Sequence, residues 1–398
     1  MTHDLHSLHE AYVMPTYKPG MTLVKGAGSR VVDSDGNEYL DFIAGIGVLN
    51  VGHCHPRVTS AIQDQAATLM HVSNLYVNEH QPRLAEALVS ASFPGKVFFC
   101  NSGAEANEAA IKLMRYFGSE SGRQHIVTMK HSFHGRTLAA ITATGQPQYQ
   151  KGFEPLPGGF SYAEFNDLES VKASITSETI GVMVEVVQGE GGVIPGTSEF
   201  LEGLRTLCDE KELLLCVDEV QTGLGRTGEL FGYQSYGITP DLMTLAKGLG
   251  GGFPIGALVA GTKVADVLQP GTHASTFGGT PLACAAARAV LSVIEEENLC
   301  DRAKTAGADF RDALEAACSG DARVESVRGL GLMIGVVLNV PAAELTGLLM
   351  ERGLIALATA GNVVRFLPPL TTSDEEFEEA LNIFKEALAA WPSTSENE

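Results

Sequence analysis

Short apolar runs alternate with helical segments from Lys96 to Gly261. The runs are KVFFC (96–100), HIVTMK (125–130), GVMVEVV (181–187), LLLCVD (213–218), LMTLAK (242–247) and ALVAG (257–261). Strands that are apolar on both faces and separated by helices are typical of a mostly parallel sheet covered by helices. Ligands of such sheets bind at the carboxyl ends of the strands, so we expect the functional residues there.

The segments before and after this region have a different pattern. Residues 22–42 alternate around Asp35-Gly36, which predicts a small antiparallel hairpin after a polar arm at 1–20. The other predicted elements are helices near 57–71 and 81–92, a long helix from about 281, apolar runs at 329–338 and 363–370, and a last helix near 374–391. We predict an α/β fold with a large domain at 49–285, a smaller α+β domain at 286–398, and residues 1–48 as an arm and part of the small domain.

Composition and charge narrow the class of protein. The chain has 398 residues, 44% of them hydrophobic and 19% charged, which is ordinary for a globular protein large enough for two domains. Its formal net charge of −21 argues against nucleic acid as a partner, because phosphate neutralisation needs a basic surface. MTHDLHSLHE at the start lacks the apolar stretch of a signal peptide, and no run reaches the roughly 20 apolar residues of a membrane span.

The seven cysteines are scattered without metal-ligand spacing, and several lie in apolar runs, Cys100 and Cys216 among them. Their odd number also fits free thiols better than a disulfide framework. We interpret them as reduced core residues, predict no metal site, and expect a cytoplasmic protein without a membrane partner.

One lysine lies between an apolar run and a glycine cluster. In DLMTLAKGLGGGFPIGALVAG (241–261), Lys247 follows the first run, four glycines lie within the next five residues, and a second run begins at Ile255. We predict a strand, a tight turn that carries Lys247, and a second strand. A buried lysine must lose or pair its charge, and one way is an imine with a carbonyl cofactor such as pyridoxal phosphate (PLP). Taken alone, the stretch suits a surface lysine at a hairpin tip about equally well.

NSGAEANEAAIKLMRYF (101–117) leads from a predicted strand into a helix. Ser102 and Glu105 have the spacing of a capping box, and a glycine-containing turn at a helix N-terminus offers free N–H groups and the positive end of the helix dipole. We predict that Ser102, Gly103 and Ala104 hold a phosphate. A well-capped helix with nothing bound explains this segment by itself equally well.

LLLCVDEVQTGLGRTG (213–228) places Asp218 and Glu219 at a strand end. A carboxylate there needs a cationic partner or hydrogen-bond donors. A protonated pyridine nitrogen would be such a partner for Asp218, and its proton makes the ring an electron sink. An acidic cap and a metal ligand are the alternatives, although this segment offers a metal only Glu219 in addition.

Further segments carry side chains suited to an aromatic ring or an anion. In HSFHGRTL (131–138), Phe133 is flat and apolar, and Arg136 can hold a carboxylate with two parallel N–H bonds. Taken singly, Phe133 is more often a core residue and Arg136 more often a surface ion pair. The other candidates are Glu185, Gln188 and Glu190 in VEVVQGEGG (184–192), Arg365 in VVRFLPPL (363–370), and Ser275 and Thr276 in HASTFGG (273–279).

Together these segments resemble one family closely. NSGAEANEAAIK, SFHGRTL, VDEVQTGLGRTG, AKGLGGGFPIGA and STFGG are similar to the motifs of the class III (ornithine/GABA type) PLP-dependent aminotransferases. The similarity runs from TYKPGMTLVKGAGSRVVDSDGNEYLDF to VVRFLPPL, which is nearly the whole chain. The resemblance implies a fold-type I PLP transferase that is an obligate homodimer with shared active sites.

The resemblance also implies a role for each matching position. Lys247 would form the Schiff base with the cofactor and then shuttle a proton, and Asp218 would pair with the pyridinium nitrogen. The other implied cofactor contacts are Ser102, Gly103, Ala104, Phe133, Glu185, Glu219, Val220 and Gln221, with Thr276 from the other subunit. The implied substrate contacts are Arg365 for an α-carboxylate, Glu190 as its partner when no such carboxylate is present, and Arg136 and Ser275.

The resemblance indicates the substrate less specifically than it indicates the family. QPQYQKGFEP (146–155) favours the acetylornithine type, and Ile46 stands where enzymes of free ornithine typically carry a tyrosine. GVLN (47–50) is somewhat similar to GABA enzymes, and Ala274 and Thr280 depart from the usual residues, which leaves substrate choice open.

The implied reaction transfers the δ-amino group of N-acetylornithine to 2-oxoglutarate. It gives N-acetylglutamate 5-semialdehyde and glutamate, a step of arginine biosynthesis. Alternative donors are succinylornithine, succinyl-diaminopimelate, GABA, ornithine and amines of a lysine pathway. An aminomutase or racemase on the same fold, and a PLP-binding protein without turnover, are the alternative classes.

Overall fold

The structure, a computed structural model, describes residues 5–392. Its helices are α1 (Leu5–Tyr12), α2 (Ala44–Gly47), α3 (Pro56–Thr68), α4 (His80–Ala91), α5 (Gly103–Phe117), α6 (Leu138–Ala143), α7 (Pro147–Gln150), α8 (Leu168–Ser174), α9 (Ser198–Glu210), α10 (Pro281–Glu296), α11 (Leu299–Cys318), α12 (Ala343–Glu351) and α13 (Asp374–Ala390). Short 3₁₀ turns lie at Ser119–Ser121, Gly232–Tyr236 and Lys247–Gly250. Within this range no helix combines the length and apolar character needed to cross a bilayer.

The strands form one large sheet and three smaller ones. They are β1 (Leu23–Ala27), β2 (Arg30–Asp33), β3 (Glu38–Asp41), β4 (Gly95–Cys100), β5 (His125–Met129), β6 (Phe160–Ala163), β7 (Thr179–Val184), β8 (Val187–Gln188), β9 (Ile194–Pro195), β10 (Leu214–Asp218), β11 (Leu242–Leu245), β12 (Gly256–Gly261), β13 (Val324–Leu330), β14 (Met333–Leu338), β15 (Leu354–Ile355), β16 (Leu357–Thr359) and β17 (Val363–Phe366). The predicted helices near 57–71, 81–92 and 374–391 correspond to α3, α4 and α13, whereas α11 and β6 were not predicted.

The central sheet has seven strands in the order β4-β12-β11-β10-β7-β5-β6. Only β12 runs antiparallel to its neighbours β4 and β11, and the pairs among the other strands are parallel. Every residue of β7, β10, β11 and β12 is buried. The prediction of a mostly parallel α/β sheet from continuous apolar runs is therefore confirmed.

Hydrophobic cores lie on both faces of this sheet. In β10, Leu215 and Val217 belong to the larger core, while Leu214 and Cys216 belong to a second core that includes Ile111 of α5. Because successive strand residues point to opposite faces, this division shows that both faces of β10 are covered. Burial on both faces explains why the strand shows no alternation with polar residues.

The parallel strands bring five predicted site residues to one edge of the sheet. Ser102, Phe133, Glu185, Asp218 and Lys247 lie at or shortly after the carboxyl ends of β4, β5, β7, β10 and β11. These strands share one direction, so their carboxyl ends lie at the same edge, where α/β sheets bind ligands.

The connection that carries Lys247 is longer than predicted. β11 and β12 pair antiparallel, with Leu245 opposite Ala257, so residues 246–255 form an excursion rather than a tight turn. Gly251 and Gly252 have φ angles of +56° and +107°, which lets the chain reverse there. The prediction of two strands is confirmed, and that of a tight turn is wrong.

The smaller sheets lie outside this central region. β2 and β3 form the predicted antiparallel hairpin around Asp35-Gly36, β1 pairs antiparallel with β2, and β15 from the C-terminal part adds to β3 in parallel. A second four-stranded sheet, β13-β14-β17-β16, carries Arg365 on β17. The described part of the predicted arm contains α1, which has no buried residue. The domain boundaries stay predictions.

Candidate active site

A cavity of about 440 Å³ opens at the carboxyl edge of the central sheet. Its volume lies in the range that cofactors and small substrates occupy. The predicted site residues that line it are Ser102, Gly103, Ala104, Phe133, Arg136, Glu185, Glu190, Asp218, Val220, Gln221 and Lys247. Residues far apart in sequence thus meet around one space.

The Glu219 side chain does not line this cavity. Its carboxylate is fully buried and accepts hydrogen bonds from the backbone N–H of Tyr233 at 2.7 Å and the hydroxyl of Thr222 at 2.5 Å. Neighbouring residues of a strand end point to opposite sides, so Asp218 faces the cavity and Glu219 faces the core. The expected cofactor contact by the Glu219 side chain therefore has no support from its position.

Ser275 and Thr276 lie outside the cavity of their own chain. The Ser275 hydroxyl accepts from the backbone N–H of Gly278 at 3.0 Å and lies 3.4 Å from Nδ2 of Asn101, which lines the cavity. Thr276 is exposed. The single chain therefore gives neither hydroxyl a contact with the cavity.

Lys247 follows β11 with a backbone φ angle of +41°, a conformation that few residues other than glycine adopt. Its side chain has no hydrogen bond or ion pair to any group in residues 5–392. Burial lowers the pKa of the Lys247 amine, and the charge of Glu190 only partly opposes this shift. An amine with a lowered pKa is available as a nucleophile and as a base near neutral pH.

Asp218 is held by two donors that sequence reasoning missed. Its Oδ2 accepts from Asn107 Nδ2 at 2.8 Å and pairs with His134 Nδ1 at 2.7 Å, while Oδ1 accepts from the backbone N–H of Val220 at 3.0 Å. Burial alone would lower the pKa of His134, but the hydrogen bond and charge of Asp218 raise it above the ordinary value. These contacts fix the carboxylate in the wall of the cavity.

Glu185 connects the charged cluster with the aromatic wall. Its Oε2 accepts from the backbone N–H of Phe133 at 3.0 Å. Burial raises the pKa of Glu185 to about 8; the positive charge of His134 opposes this shift, and the negative charge of Asp218 adds to it. This carboxyl group is thus neutral in part at physiological pH while it holds the segment that presents the Phe133 ring.

The N-terminus of α5 forms an anion cradle. The Ser102 hydroxyl accepts from the backbone N–H of Glu105 at 3.2 Å, and the Glu105 carboxylate accepts from the N–H of Asn101 at 2.8 Å. The backbone N–H groups of Gly103 and Ala104 donate no hydrogen bond to any group in the described chain. The cradle is also close-packed, because a Cβ atom on Gly103 would lie 2.8 Å from Val220. Free N–H groups at the start of a helix suit a phosphate.

Arg365 is fully buried and pairs with Glu190 across 2.7 Å. Its Nη1 also lies 3.4 Å from the side-chain oxygen of Gln221, while Nε and Nη2 have no hydrogen-bond partner among residues 5–392. Burial alone would raise the pKa of Glu190, but the charge and hydrogen bond of Arg365 lower it below the ordinary value. A buried guanidinium with free donors is suited to a second anion in place of Glu190.

Arg136 lies exposed at the cavity wall and stacks on aromatic rings instead of an acid. Its Cζ is 4.1 Å from the centre of the Tyr149 ring and 5.5 Å from that of Phe133. It forms no ion pair with any acidic group among residues 5–392. Arg136 thus lines the cavity without an acidic partner in the described chain, whereas Arg365 is not among the lining residues and is paired with Glu190, which is one of them.

These groups fit a phosphorylated aromatic aldehyde. The cradle of Gly103 and Ala104 suits the phosphate, the buried Asp218 suits a protonated ring nitrogen, Phe133 offers a flat face, and Lys247 supplies an amine. Such a combination defines an enzyme that reacts with amines through a PLP-type cofactor.

Comparisons with known proteins agree with this class. The sequence model of the family described as Aminotransferase class-III matches residues 12–388. The chain is 51% identical over 383 residues to the acetylornithine aminotransferase of Caldanaerobacter subterraneus subsp. tengcongensis, covering 95% of this chain and 97% of that protein. It is 47% identical over 386 residues to the succinylornithine transaminase of Yersinia pseudotuberculosis serotype O:1b, covering 94% and 93%.

A solved structure is also similar. It is the ornithine aminotransferase from Toxoplasma gondii crystallised with oxidised glutathione, in which PLP partly occupies the active site. Its TM-score is 0.94 at 35% identity, and the match covers 98% of this chain and 95% of that chain. The protein described here belongs to the class III aminotransferase family. Its cofactor is PLP, as in that family.

Proposed function

We propose that this enzyme transfers the δ-amino group of N-acetylornithine to 2-oxoglutarate in arginine biosynthesis. The products are N-acetylglutamate 5-semialdehyde and glutamate. The different states of two arginines carry this proposal: buried Arg365 is paired with Glu190 of the cavity wall, and Arg136, which lines the cavity, has no acidic partner among residues 5–392. The names of the relatives at 51% and 47% identity, both enzymes of acylated ornithine, support the same substrate class.

The two substrates differ at the carbon that reacts. The δ-carbon of N-acetylornithine has no carboxylate beside it, whereas C2 of 2-oxoglutarate carries one directly. A positive charge next to Lys247 would be useful only for the second substrate. Glu190 neutralises Arg365 for the first substrate, and a substrate carboxylate takes the place of Glu190 for the second. The switch role that the resemblance implies for Glu190 thus has a physical reason.

Both substrates also carry a carboxylate several bonds from the reacting carbon. We assign Arg136 to this distal group, because its guanidinium lines the cavity and lacks an acidic partner. Planar guanidinium groups hold carboxylates with two parallel N–H bonds. Ser275, which lies outside the cavity of its own chain, is assigned to the same end of the substrate by the resemblance alone.

The remaining predicted residues act on the cofactor and the proton. When bound, PLP supplies the carbonyl carbon that exchanges amino groups and a ring that accepts electrons. Lys247 Nζ anchors the cofactor and then takes the proton from the δ-carbon of the donor, for which its lowered pKa suits it. Asp218 would keep the ring nitrogen of the cofactor protonated, and the Phe133 ring offers a flat surface for one face of it. Gln221, Val220, Glu185, Ser102, Gly103 and Ala104 complete the binding site.

We further infer an obligate homodimer that shares its active sites. Leu75, Tyr76 and Val77 follow one another and are 84%, 69% and 90% exposed in the single chain, which is costly unless a second copy covers them. Thr276 would then reach the phosphate of the partner's site. The unpaired cysteines fit a reducing cytoplasm, which cell fractionation tests directly.

Mixed dimers test the shared site. Lys247→Ala and Thr276→Asp would each inactivate a homodimer, the second because a carboxylate repels the phosphate. A mixed dimer has one site with both defects and one with neither, so co-expression should restore up to half of the activity per mixed dimer. No restoration in purified mixed dimers would contradict a shared site.

A donor panel tests the reaction itself. Glutamate formed from 2-oxoglutarate is measured with N-acetylornithine, N-succinylornithine, ornithine and GABA as donors. We expect the highest kcat/KM with N-acetylornithine, with N-succinylornithine as the main competitor because of the Yersinia relative. A higher value for another amine would reassign the substrate, and no glutamate with any donor would favour an aminomutase or racemase.

A further inference from the structure

Tyr149, on the short helix α7, lies beside Arg136, which lines the cavity. The rings of Tyr149 and Phe133 meet edge on, with centroids 5.9 Å apart and an interplanar angle of 86°. The Arg136 guanidinium lies against both rings, closer to Tyr149 at 4.1 Å than to Phe133 at 5.5 Å. An exposed arginine is therefore restrained by two aromatic faces rather than by an acid.

Contact with the ring faces leaves the donors of Arg136 free. A guanidinium that lies over a ring uses its flat face, while its N–H groups point outward in the plane. Arg136 donates no hydrogen bond to any group in residues 5–392. The side chain is thus ordered and still able to take a carboxylate with two N–H bonds.

Gln150, the next residue in the chain, holds Tyr149 in place. Gln150 Nε2 lies within hydrogen-bond distance of the carbonyl oxygens of Ile141, Thr142 and Thr144, the closest at 2.9 Å, at the end of α6. The Tyr149 hydroxyl forms no hydrogen bond within the described chain. Its ring, rather than its hydroxyl, is therefore the part that acts on Arg136.

We propose that Tyr149 is a positioning residue for substrate recognition, which holds Arg136 ready for the carboxylate distal to the reacting carbon. The inference rests on the proposed function, since it needs substrates with such a carboxylate. A free arginine side chain loses conformational freedom on binding, and a residue that orders it beforehand reduces this cost. Loss of the ring should weaken binding by about 3- to 30-fold, the range of a partly exposed cation–π contact.

The test compares Tyr149→Leu with Tyr149→Phe in the PLP-loaded enzyme. For Tyr149→Leu we expect the KM of both N-acetylornithine and 2-oxoglutarate to rise by that factor while kcat changes less than about 2-fold. Tyr149→Phe keeps the ring and should behave as the wild type. Calorimetric titration with N-acetylnorvaline, which has the distal carboxylate but no δ-amine, should give the same loss of affinity without turnover.

A double-mutant cycle shows whether Tyr149 acts through Arg136. In an Arg136→Ala background, Tyr149→Leu should cause no further loss of N-acetylnorvaline affinity. Tyr149→Met, which fills the space without an aromatic face, is a second variant if Tyr149→Leu folds poorly, and thermal midpoints report folding. Equal losses in both backgrounds, or unchanged affinity in Tyr149→Leu and Tyr149→Met, would overturn the proposal.

The outcomes also separate this inference from the proposed function. If the wild type makes glutamate from N-acetylornithine and 2-oxoglutarate but Tyr149→Leu has unchanged KM values, only the role of Tyr149 fails. If the wild type makes no glutamate from this pair and does not bind N-acetylnorvaline, the proposed function fails, and the role of Tyr149 in it fails as well.

Discussion

Arg365 and Glu190 form an ion pair at 2.7 Å in which the guanidinium is fully buried and the carboxylate keeps 24% exposure. The buried Arg365 cannot move into water without great cost, whereas the partly exposed Glu190 can turn away. The Nε and Nη2 groups of Arg365 have no partner in the described part of the chain. The pair is therefore a contact that a substrate carboxylate can replace, with Glu190 as the part that moves.

Glu190→Gln should change the preference between the two substrates. When the negative charge of Glu190 is removed, Arg365 stays free and favours glutamate and 2-oxoglutarate over N-acetylornithine. We expect the ratio of kcat/KM for N-acetylornithine to that for glutamate, each measured as a half-reaction, to fall by roughly 10-fold or more. Glu164→Gln removes an exposed carboxylate that pairs with Lys130 and serves as the control. An unchanged ratio in Glu190→Gln would contradict the switch.

Lys247→Ala should abolish turnover, because no other amine among the residues that line the cavity can act as the nucleophile and proton carrier. The control is Lys263→Ala, which removes an exposed lysine away from the cavity. Activity is measured as glutamate formation with saturating cofactor. Retained transamination by purified Lys247→Ala protein would refute the assigned chemistry.

Stability should depend on pH through Glu185. Its pKa is raised from 4.5 to about 8 by burial, so the folded protein keeps a proton that the unfolded chain releases within this range. The stabilisation is complete below about pH 4.5 and is lost as pH rises towards 8. The charges of His134, Asp218 and Lys247 act on the same carboxyl group.

The measurement is denaturant unfolding of cofactor-free wild type and Glu185→Gln protein between pH 5 and pH 8. The difference in unfolding free energy, wild type minus variant, should fall with pH by up to about 1.4 kcal/mol per unit. A difference that stays constant across this range would show that Glu185 titrates normally in the folded protein.

Arg226→Met should destabilise the fold, although Arg226 is not one of the residues that line the cavity. Arg226 is fully buried and donates to the carbonyl oxygens of Leu332 at 2.9 Å and Pro368 at 2.5 Å and to Asn50 Oδ1 at 2.9 Å. Burial lowers its pKa to about 9. The variant leaves three buried acceptors without a donor, so the unfolding free energy should fall by about 2–4 kcal/mol.

The matched control is Arg83→Met, which removes an exposed arginine from a surface ion pair with Glu79. Its unfolding free energy should stay within about 0.5 kcal/mol of the wild type. If Arg226→Met proved as stable as Arg83→Met, the buried donor would not hold these segments together.

The site could be predicted from the sequence where the apolar pattern of the strands and the topology of a parallel sheet point to the same place. Apolar runs mark strands that are buried on both faces, and their parallel direction places Phe133, Asp218 and Lys247 at one edge. The resemblance to the family added Glu190 and Arg365, which lie 175 residues apart and form the observed ion pair.

Other parts were beyond sequence reasoning because they depend on distant partners. His134 and Asn107 are 84 and 111 residues from Asp218, and their polarity alone suits a surface turn or an exposed helix face. The length of the Lys247 excursion was also missed, because glycines permit many paths. The path is set in part by packing, since a Cβ on Gly248 would lie 2.5 Å from Asn50.

The most direct test of the proposed reaction follows the visible absorbance of the bound cofactor when donors are added one at a time. N-acetylornithine should remove this absorbance at a lower concentration than ornithine or GABA, and 2-oxoglutarate added afterwards should restore it. That result would support amino transfer from N-acetylornithine at the Lys247 site. Absorbance that changes only with another amine, or that 2-oxoglutarate does not restore, would contradict the proposed function.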